Sequence, residues 1–154
     1  MSGIIEKGVN VGDVLSKDGY FASVTEGVSM WPLFKTHRDM VVLQACTERL
    51  KKYDVALYRG KDKYVLHRII GIDESRGVYI IRGDNTYSFE YVKFDSVIAK
   101  LIKFNRKGKH REVTDLSYRI YVRVWNFIYP IRRLVRGVLI RVKRLLFKKK
   151  SEEV

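Results

Sequence analysis

Short apolar stretches separated by polar turns fill residues 20–104 of the chain. The stretches are rich in Val, Ile and Tyr, which favour strands, and none of them shows a sustained helical period. The polar turns RGKDK and DESRG have a length suited to hairpins between antiparallel neighbours. We therefore predict a mainly β, antiparallel and barrel-like domain over residues 1–104. The predicted strands lie in DMVVLQAC, DVALYR, KYVLHRIIGI, VYIIRGD and SVIAKLIKF.

The pattern changes beyond Asn105. The segment NRKGKHRE predicts a polar hinge, and after it apolar residues recur every three or four positions, which is typical of one face of a helix. Pro130 is expected to kink or divide this helix, because proline removes a backbone donor and clashes with the preceding turn. Residues 105–154 are thus predicted to form a hinge and a basic amphipathic helical tail. The recurring apolar positions are Ile120, Val124, Phe127, Ile128, Ile131, Leu134, Val135, Val138, Leu139, Val142, Leu145 and Leu146.

Composition favours a globular domain in a reducing compartment. A chain of 154 residues that is 46% hydrophobic suits one domain with an appendage. A single cysteine, Cys46, excludes an internal disulfide. The first residues lack the basic start and apolar run of a signal peptide, and no window reaches about 18 uncharged apolar residues. We expect a cytoplasmic protein without a signal peptide or a transmembrane helix.

The net charge of +14 belongs almost entirely to the tail. Residues 1–102 hold 15 Lys and Arg against 13 Asp and Glu, whereas residues 103–150 hold 16 against 2. A basic amphipathic helix over residues 117–150 suits the interface of an anionic membrane, so we expect a peripheral membrane partner there.

Two alternatives remain for the tail. It could pack against its own domain or against a partner protein. Nucleic acid is a less favoured partner, because the aromatic residues of the tail fall largely among helical core positions rather than on an open stacking platform. These aromatic residues are Tyr121, Trp125, Phe127 and Tyr129.

The stretch EGVSMWPLF places Ser29 between a glycine and a proline. Glycine, serine and proline are common between strands, so the stretch alone predicts a loop. A serine becomes a nucleophile only when a base within hydrogen-bond reach takes its proton. The candidate base is His67, on a predicted strand among β-branched residues, where it could equally be a core histidine. His37 and His110 lie in charged, loop-like segments and are expected to be solvated.

A second candidate stretch is IIRGDNTYSFE, in which a strand runs into Gly83, Asp84 and Asn85. Glycine permits a sharp turn, and an aspartate in a turn bonds nearby backbone amides. The stretch by itself predicts an Asx turn.

Four blocks in this order resemble the type I signal peptidases and their relatives, serine proteases of the signal-peptidase clan. GVSMWPLF looks like the nucleophile box of the family, and YDVALYR looks like its Gly-Asp-x-Val-x strand with Tyr53 in place of glycine. YVLHRIIGI resembles its general-base strand, and RGDNTYSFE resembles its Gly-Asp-Asn box. The blocks span roughly residues 20–102, with the order and spacing of the family.

The resemblance implies a serine endopeptidase, without metal or cofactor, that cleaves a leader, signal or precursor peptide through an acyl-enzyme. It implies that Ser29 is the nucleophile and His67 the base, since LHRII resembles the branch of the family that uses histidine instead of lysine. It also implies that the backbone amide of Ser29 holds the oxyanion, and that Gly27, Met30 and Pro32 take part in oxyanion and substrate binding.

The third catalytic group is open between two residues. The resemblance makes Asp84 the first choice for the acid that orients the histidine. Glu90 is the alternative, because the histidine branch often carries its acid a few residues after the Gly-Asp-Asn box.

One departure from the family concerns the anchor. Members normally carry an N-terminal transmembrane helix shortly before the nucleophile, and here 28 mostly polar residues precede it. The basic tail could replace that anchor. The alternative to an enzyme is a catalytically degenerate member that acts as a peptide- or membrane-binding accessory protein.

Overall fold

The computed structural model of the chain describes residues 3–4, 10–60 and 63–151. These residues form one antiparallel sheet and three α-helices. The strands are β1 (Gly3–Ile4), β2 (Tyr20–Glu26), β3 (Met40–Ala45), β4 (Val55–Arg59), β5 (Tyr64–Asp73), β6 (Val78–Arg82), β7 (Glu90–Lys93), β8 (Val97–Arg106) and β9 (Lys109–Glu112). The helices are α1 (Val11–Asp18), α2 (Leu116–Phe127) and α3 (Tyr129–Ser151).

The sheet has the strand order β1-β2-β3-β8-β4-β5-β6-β7, and β9 pairs with β8 at its side. The mainly antiparallel prediction is confirmed, but within the described residues the sheet is open and not closed into a barrel. Strand β1 has two residues and meets β5 at one residue pair, Gly3 and Val65. A single pair is not a ladder of hydrogen bonds, so the barrel-like part of the prediction is wrong as a closed barrel.

All five predicted strands form, as β3, β4, β5, β6 and β8. The predicted polar hinge differs: it forms the end of β8, a turn and β9, and the predicted boundary after residue 104 lies inside β8. Lys107 and Gly108 both have positive φ angles, 54° and 77°, which close this tight turn. Every residue of β9 is exposed, so no apolar alternation marks it in the sequence.

Helix α1 was not predicted from the pattern. It has eight residues and buries Val11 and Leu15. Its ends are defined by polar chemistry: the side chain of Asn10 accepts a hydrogen bond from the Gly12 amide, and Gly19 ends the helix with a φ of 73°.

The chain divides into two compact units, residues 1–119 and 120–154. The first unit holds the whole described sheet. In the second part of the chain, α2 ends at Phe127 and α3 begins at Tyr129, so Pro130 lies in the first turn of α3, where proline is tolerated. The expected division of the helix near this proline is confirmed. None of the helices in the described part of the chain combines the length and apolar character needed to span a membrane.

Strand β5 is buried on both faces from Tyr64 to Ile69. Consecutive strand residues point to opposite faces of the sheet, so the side chains of His67 and Arg68 contact different parts of the protein. Val65 and Ile69 flank His67 on its own face and belong to the main apolar cluster, which also contains Leu50, Ala56, Tyr58, Tyr79, Ile81, Val92 and Val97.

Arg68 forms a fully buried ion pair with Asp84, in the turn that follows β6. Its Nε and Nη2 donate to the two carboxylate oxygens at 2.7 and 2.8 Å, and Nη1 donates to the Tyr53 carbonyl and the Tyr118 hydroxyl, both at 3.0 Å. Burial, the largest single effect, would lower the pKa of Arg68, but the charges and hydrogen bonds of Asp84 and Tyr118 together outweigh it and raise the pKa above its ordinary value. The pair joins β5, the turn after β6, the approach to β4 and the first turn of α2.

Replacing Arg68 by methionine should lower the free energy of unfolding by about 3–5 kcal/mol, because the carboxylate of Asp84 stays buried without its cation. Urea unfolding followed by circular dichroism measures the loss. The double variant Arg68→Met with Asp84→Leu should recover part of it, since both charges are removed. A loss below about 1 kcal/mol in the single variant would contradict a stabilising role of the pair.

Candidate active site

Ser29 lies in the turn between β2 and β3, and the Gly-Asp-Asn turn holds its backbone. The Asn85 amide donates to the Ser29 carbonyl at 2.7 Å, and the Asn85 side chain donates to the Val28 carbonyl at 3.2 Å. Gly27 has a φ of 83°, a conformation that favours glycine, and its carbonyl accepts from the Thr36 hydroxyl at 2.5 Å. The serine is therefore fixed from two sides.

The Ser29 hydroxyl oxygen lies 2.6 Å from Nε2 of His67. Both residues are buried, with 2% and 1% of their surfaces exposed. The predicted nucleophile and base are 38 residues apart in sequence, and the fold brings them into hydrogen-bond contact. Such contact is the geometric requirement for a serine to lose its proton to an imidazole.

Glu90, the first residue of β7, meets the other side of the imidazole. Its Oε1 lies 2.9 Å from Nδ1 of His67. An ionised carboxylate can only accept, so Nδ1 carries the proton and Nε2 offers its lone pair to the Ser29 hydroxyl. This is the tautomer that a general base requires.

The charge of Glu90 is also favoured by its surroundings. The hydrogen bond from His67 lowers the pKa of Glu90, against the opposing effect of partial burial, and the hydrogen bond from Tyr58 adds to the lowering. The carboxylate therefore stays ionised at neutral pH and can stabilise the imidazolium that forms when the serine proton moves.

Asp84, the first choice for the acid, lies elsewhere. Both of its carboxylate oxygens accept from Arg68, while Nδ1 of His67 is bonded to Glu90. The expectation that Asp84 orients the histidine is thus corrected, and the alternative, Glu90, occupies that position. The physical reason is alternation on β5: the residue that faces Asp84 is Arg68, and its neighbour His67 faces away from it.

Strand register explains how Glu90 reaches the histidine. Glu90 lies opposite Ile81 on β6, and Ile81 lies opposite Ile69 on β5, two positions from His67. The four-residue strand β7 was not predicted, so its register could not be used to choose between the two acids.

Gly83 packs directly on Ser29 and His67. A Cβ atom at this position would lie 2.7 Å from the Ser29 carbonyl oxygen, 3.0 Å from the Ser29 Cβ and 3.1 Å from Nε2 of His67. Any side chain would therefore displace the serine turn or the imidazole. The three residues of the box have separate tasks: Gly83 allows close approach, Asp84 binds Arg68, and Asn85 holds the serine backbone.

Tyr58 is a site residue that the sequence analysis missed. Its hydroxyl donates to Oε2 of Glu90 at 2.7 Å and lies 3.3 Å from Nδ1 of His67. Burial raises the pKa of Tyr58, and the hydrogen bond to Glu90 raises it further, so the phenol stays protonated and can donate. The tyrosine fixes one carboxylate oxygen and leaves the other for the histidine. Tyr58 lies in the segment DVALYR, but the sequence pattern does not indicate which group its hydroxyl would bind.

The remaining predicted residues lie as follows. Met30 is buried, with 1% of its surface exposed, so its side chain packs in the interior. Pro32 is partly exposed, follows a cis peptide bond, and accepts from Arg106 through its carbonyl at 3.0 Å. The part of both residues in substrate binding stays a prediction. His37 and His110 are exposed, which confirms the expectation that they are solvated.

Comparison of the chain with protein-family models and with curated proteins finds no match. The site is therefore defined by its own geometry. Its central feature is a continuous line of hydrogen bonds from Ser29 through His67 and Glu90 to Tyr58.

Replacing Gly83 by alanine should slow the reaction of Ser29 with a fluorophosphonate by about 100-fold or more, because a shift of about 1 Å in a catalytic pair has this effect. Labelling rate by intact-protein mass spectrometry is the measurement. Gly137→Ala is the matched control, since apart from its chain neighbours and the nearby backbone of its own helix nothing lies within 4 Å of the added methyl group. Equal labelling rates in the two variants would mean that the close packing of Gly83 does not hold the pair in place.

Proposed function

We propose that this protein is a serine endopeptidase of the signal-peptidase type, which cleaves a leader, signal or precursor peptide. The observation that carries the proposal is the buried contact of Ser29 with His67, with Glu90 on the far side of the ring. Three residue types with complementary proton-transfer roles meet in the required order. The resemblance of the four sequence blocks supports the same reaction class.

In the proposed reaction, Oγ of Ser29 attacks the carbonyl carbon of the scissile peptide bond. A C–O bond forms while the hydroxyl proton moves to Nε2 of His67, and Glu90 stabilises the resulting imidazolium. The C–N bond then breaks, and the leaving amine takes the proton from Nε2. The products of this half-reaction are the released C-terminal fragment and an ester on Ser29.

Water completes the cycle. It attacks the ester carbonyl, gives a proton to Nε2, and the C–O bond to Ser29 breaks as the serine oxygen regains that proton. The acid is released and the free enzyme returns. By resemblance, the backbone amide of Ser29 stabilises the oxyanion in both halves, and Gly27 lets the peptide backbone approach.

The surroundings of the serine suit an extended peptide. Three apolar side chains that neighbour the site residues in sequence are exposed, namely Val28 at 64%, Trp31 at 52% and Phe89 at 42%. Exposed apolar side chains beside a catalytic group are typical of surfaces that bind apolar peptide segments. A peptide that binds as an added strand gains main-chain hydrogen bonds, and shallow pockets then select its side chains. The resemblance implies small residues next to the cleaved bond.

Ser29→Ala and His67→Ala should each abolish cleavage, and Glu90→Gln should lower turnover by about 100- to 10,000-fold, because the neutral amide cannot stabilise the imidazolium. The measurement is cleavage of a proteome-derived peptide library, with product termini read by mass spectrometry.

His110→Ala is the matched control and should keep nearly full activity, since His110 is an exposed histidine. Urea unfolding of each variant separates loss of activity from loss of fold. Cleavage by Ser29→Ala at the rate of the parent would contradict the nucleophile, and no cleavage by the parent would favour a degenerate, peptide-binding member. Full activity in Glu90→Gln would remove Glu90 from the mechanism.

A further inference from the structure

Helix α3 exposes a row of apolar side chains in the second unit of the chain. Leu134 is 70% exposed and Ile131 is 62% exposed. Exposed aliphatic side chains are ordinary when they are scattered, but a contiguous row usually marks a binding surface. We call this row the apolar stripe; it consists of Ile131, Leu134, Val135, Val138, Leu139 and Val142, all of them exposed.

The apolar stripe occupies one side of the helix. At about 100° per residue, its six positions fall within an arc of about 140°. Arg133, Arg136 and Arg144 lie well outside that arc, and Arg132 and Arg141 each lie about 20° beyond one of its borders. The helix therefore has an apolar side and a cationic side.

The charge around the stripe has a single sign. Residues 116–150 contain 11 Lys and Arg and no Asp or Glu. Such a segment attracts polyanions over its whole length, because it contains no acidic residue to offset its basic ones. A partner that fits it must offer both an apolar phase and a dense array of anions.

We propose that α3 docks on an anionic lipid surface, with the apolar stripe in the acyl-headgroup boundary and the arginines at the lipid phosphates. An amphipathic helix with a cationic face lies in the plane of such an interface. Arginine stems extend along apolar surface while their guanidinium groups reach the headgroups. The inference uses no residue of the candidate active site, so it stands or falls independently of the peptidase.

Other occupants meet only half of these requirements. Nucleic acid offers phosphates but gives aliphatic side chains no apolar phase, and its single strands prefer aromatic stacking platforms. A second copy of the chain could cover the stripe, but it would bring two strongly cationic helices together. Full insertion across a bilayer would bury many guanidinium groups at high cost.

The test is co-sedimentation of the full chain with vesicles. One set is made of phosphatidylcholine alone, and the other contains about one third phosphatidylserine. Binding should occur only to the anionic set, and it should weaken as salt rises from about 0.1 M to about 0.5 M, because salt screens exposed charges. Equal binding to both sets, or binding to neither, would overturn the proposal.

A matched pair of substitutions tests the stripe itself. Ile131 and Ile140 are the same residue type on the same helix, 62% and 48% exposed, but Ile140 lies opposite the stripe. Ile131→Gln should weaken vesicle binding on the order of tenfold, because it removes apolar area from the interface. Ile140→Gln should change binding less than about twofold, since its side chain stays outside the apolar phase. Equal effects in the two variants would contradict the assigned orientation.

Charge is tested by the pair Arg133→Gln and Arg136→Gln in one chain. Their combined loss should weaken binding to anionic vesicles on the order of tenfold. Circular dichroism shows whether each variant keeps its helix content, and urea unfolding shows whether the first unit stays folded. Competition with a short oligonucleotide tests the alternative partner. If the oligonucleotide removes the protein from anionic vesicles because the protein binds it more tightly than it binds the lipid, the lipid assignment is wrong and nucleic acid is the partner.

Discussion

The buried ion pair between Arg68 and Asp84 is the interaction on which the rest of the site depends. Arg68 directly follows the candidate base on β5, and Asp84 directly follows the glycine that packs on the candidate nucleophile. The pair therefore fixes the distance between the base strand and the serine turn. Losing one partner would leave a buried charge, so this distance cannot relax without a large cost.

At the candidate site, residues that are adjacent in sequence have different roles: one belongs to the proposed proton-transfer chain and the next one stabilises the fold. On β5, side chains alternate between the two faces of the sheet, so His67 contacts Ser29 and Arg68 contacts Asp84. In the turn after β6, Gly83 has no side chain, so Ser29 can lie close to it. The backbone amide of Asn85 donates a hydrogen bond to the Ser29 carbonyl. This arrangement explains the whole Gly-Asp-Asn box without assigning a proton-transfer role to its aspartate.

The parts of the fold that could be predicted are those in which burial leaves a pattern. Strands β3, β4, β5, β6 and β8 carry dense runs of apolar and β-branched residues, and their segments were identified from the sequence. Strand β9 is wholly exposed and β7 has one buried residue, so neither produces a readable alternation. The open form of the sheet depends on which strands pair at its ends, which a single sequence does not encode locally.

The same limit applies to the site. Ser29 and His67 could be chosen because their segments resemble the nucleophile box and the general-base strand of the signal peptidases; from the residues alone, Ser29 lies in a loop and His67 could equally be a core histidine. The choice between Asp84 and Glu90 depended on the register of β7 against β6, and the role of Tyr58 depended on where its hydroxyl finds a carboxylate. Hydrogen-bond partners of this kind are set by tertiary structure, and local pattern does not identify them.

The central claim is that His67, oriented by Glu90, takes the proton of Ser29 and makes it a nucleophile. The most direct measurement mixes the protein with an activated ester such as p-nitrophenyl acetate, stops the reaction with acid, and locates the acyl group by mass spectrometry. If His67 activates Ser29, one acyl group per chain should form on Ser29 in the parent protein, and it should form far more slowly in His67→Ala. Acylation of other residues alone, or equally fast acylation of Ser29 in His67→Ala, would contradict it.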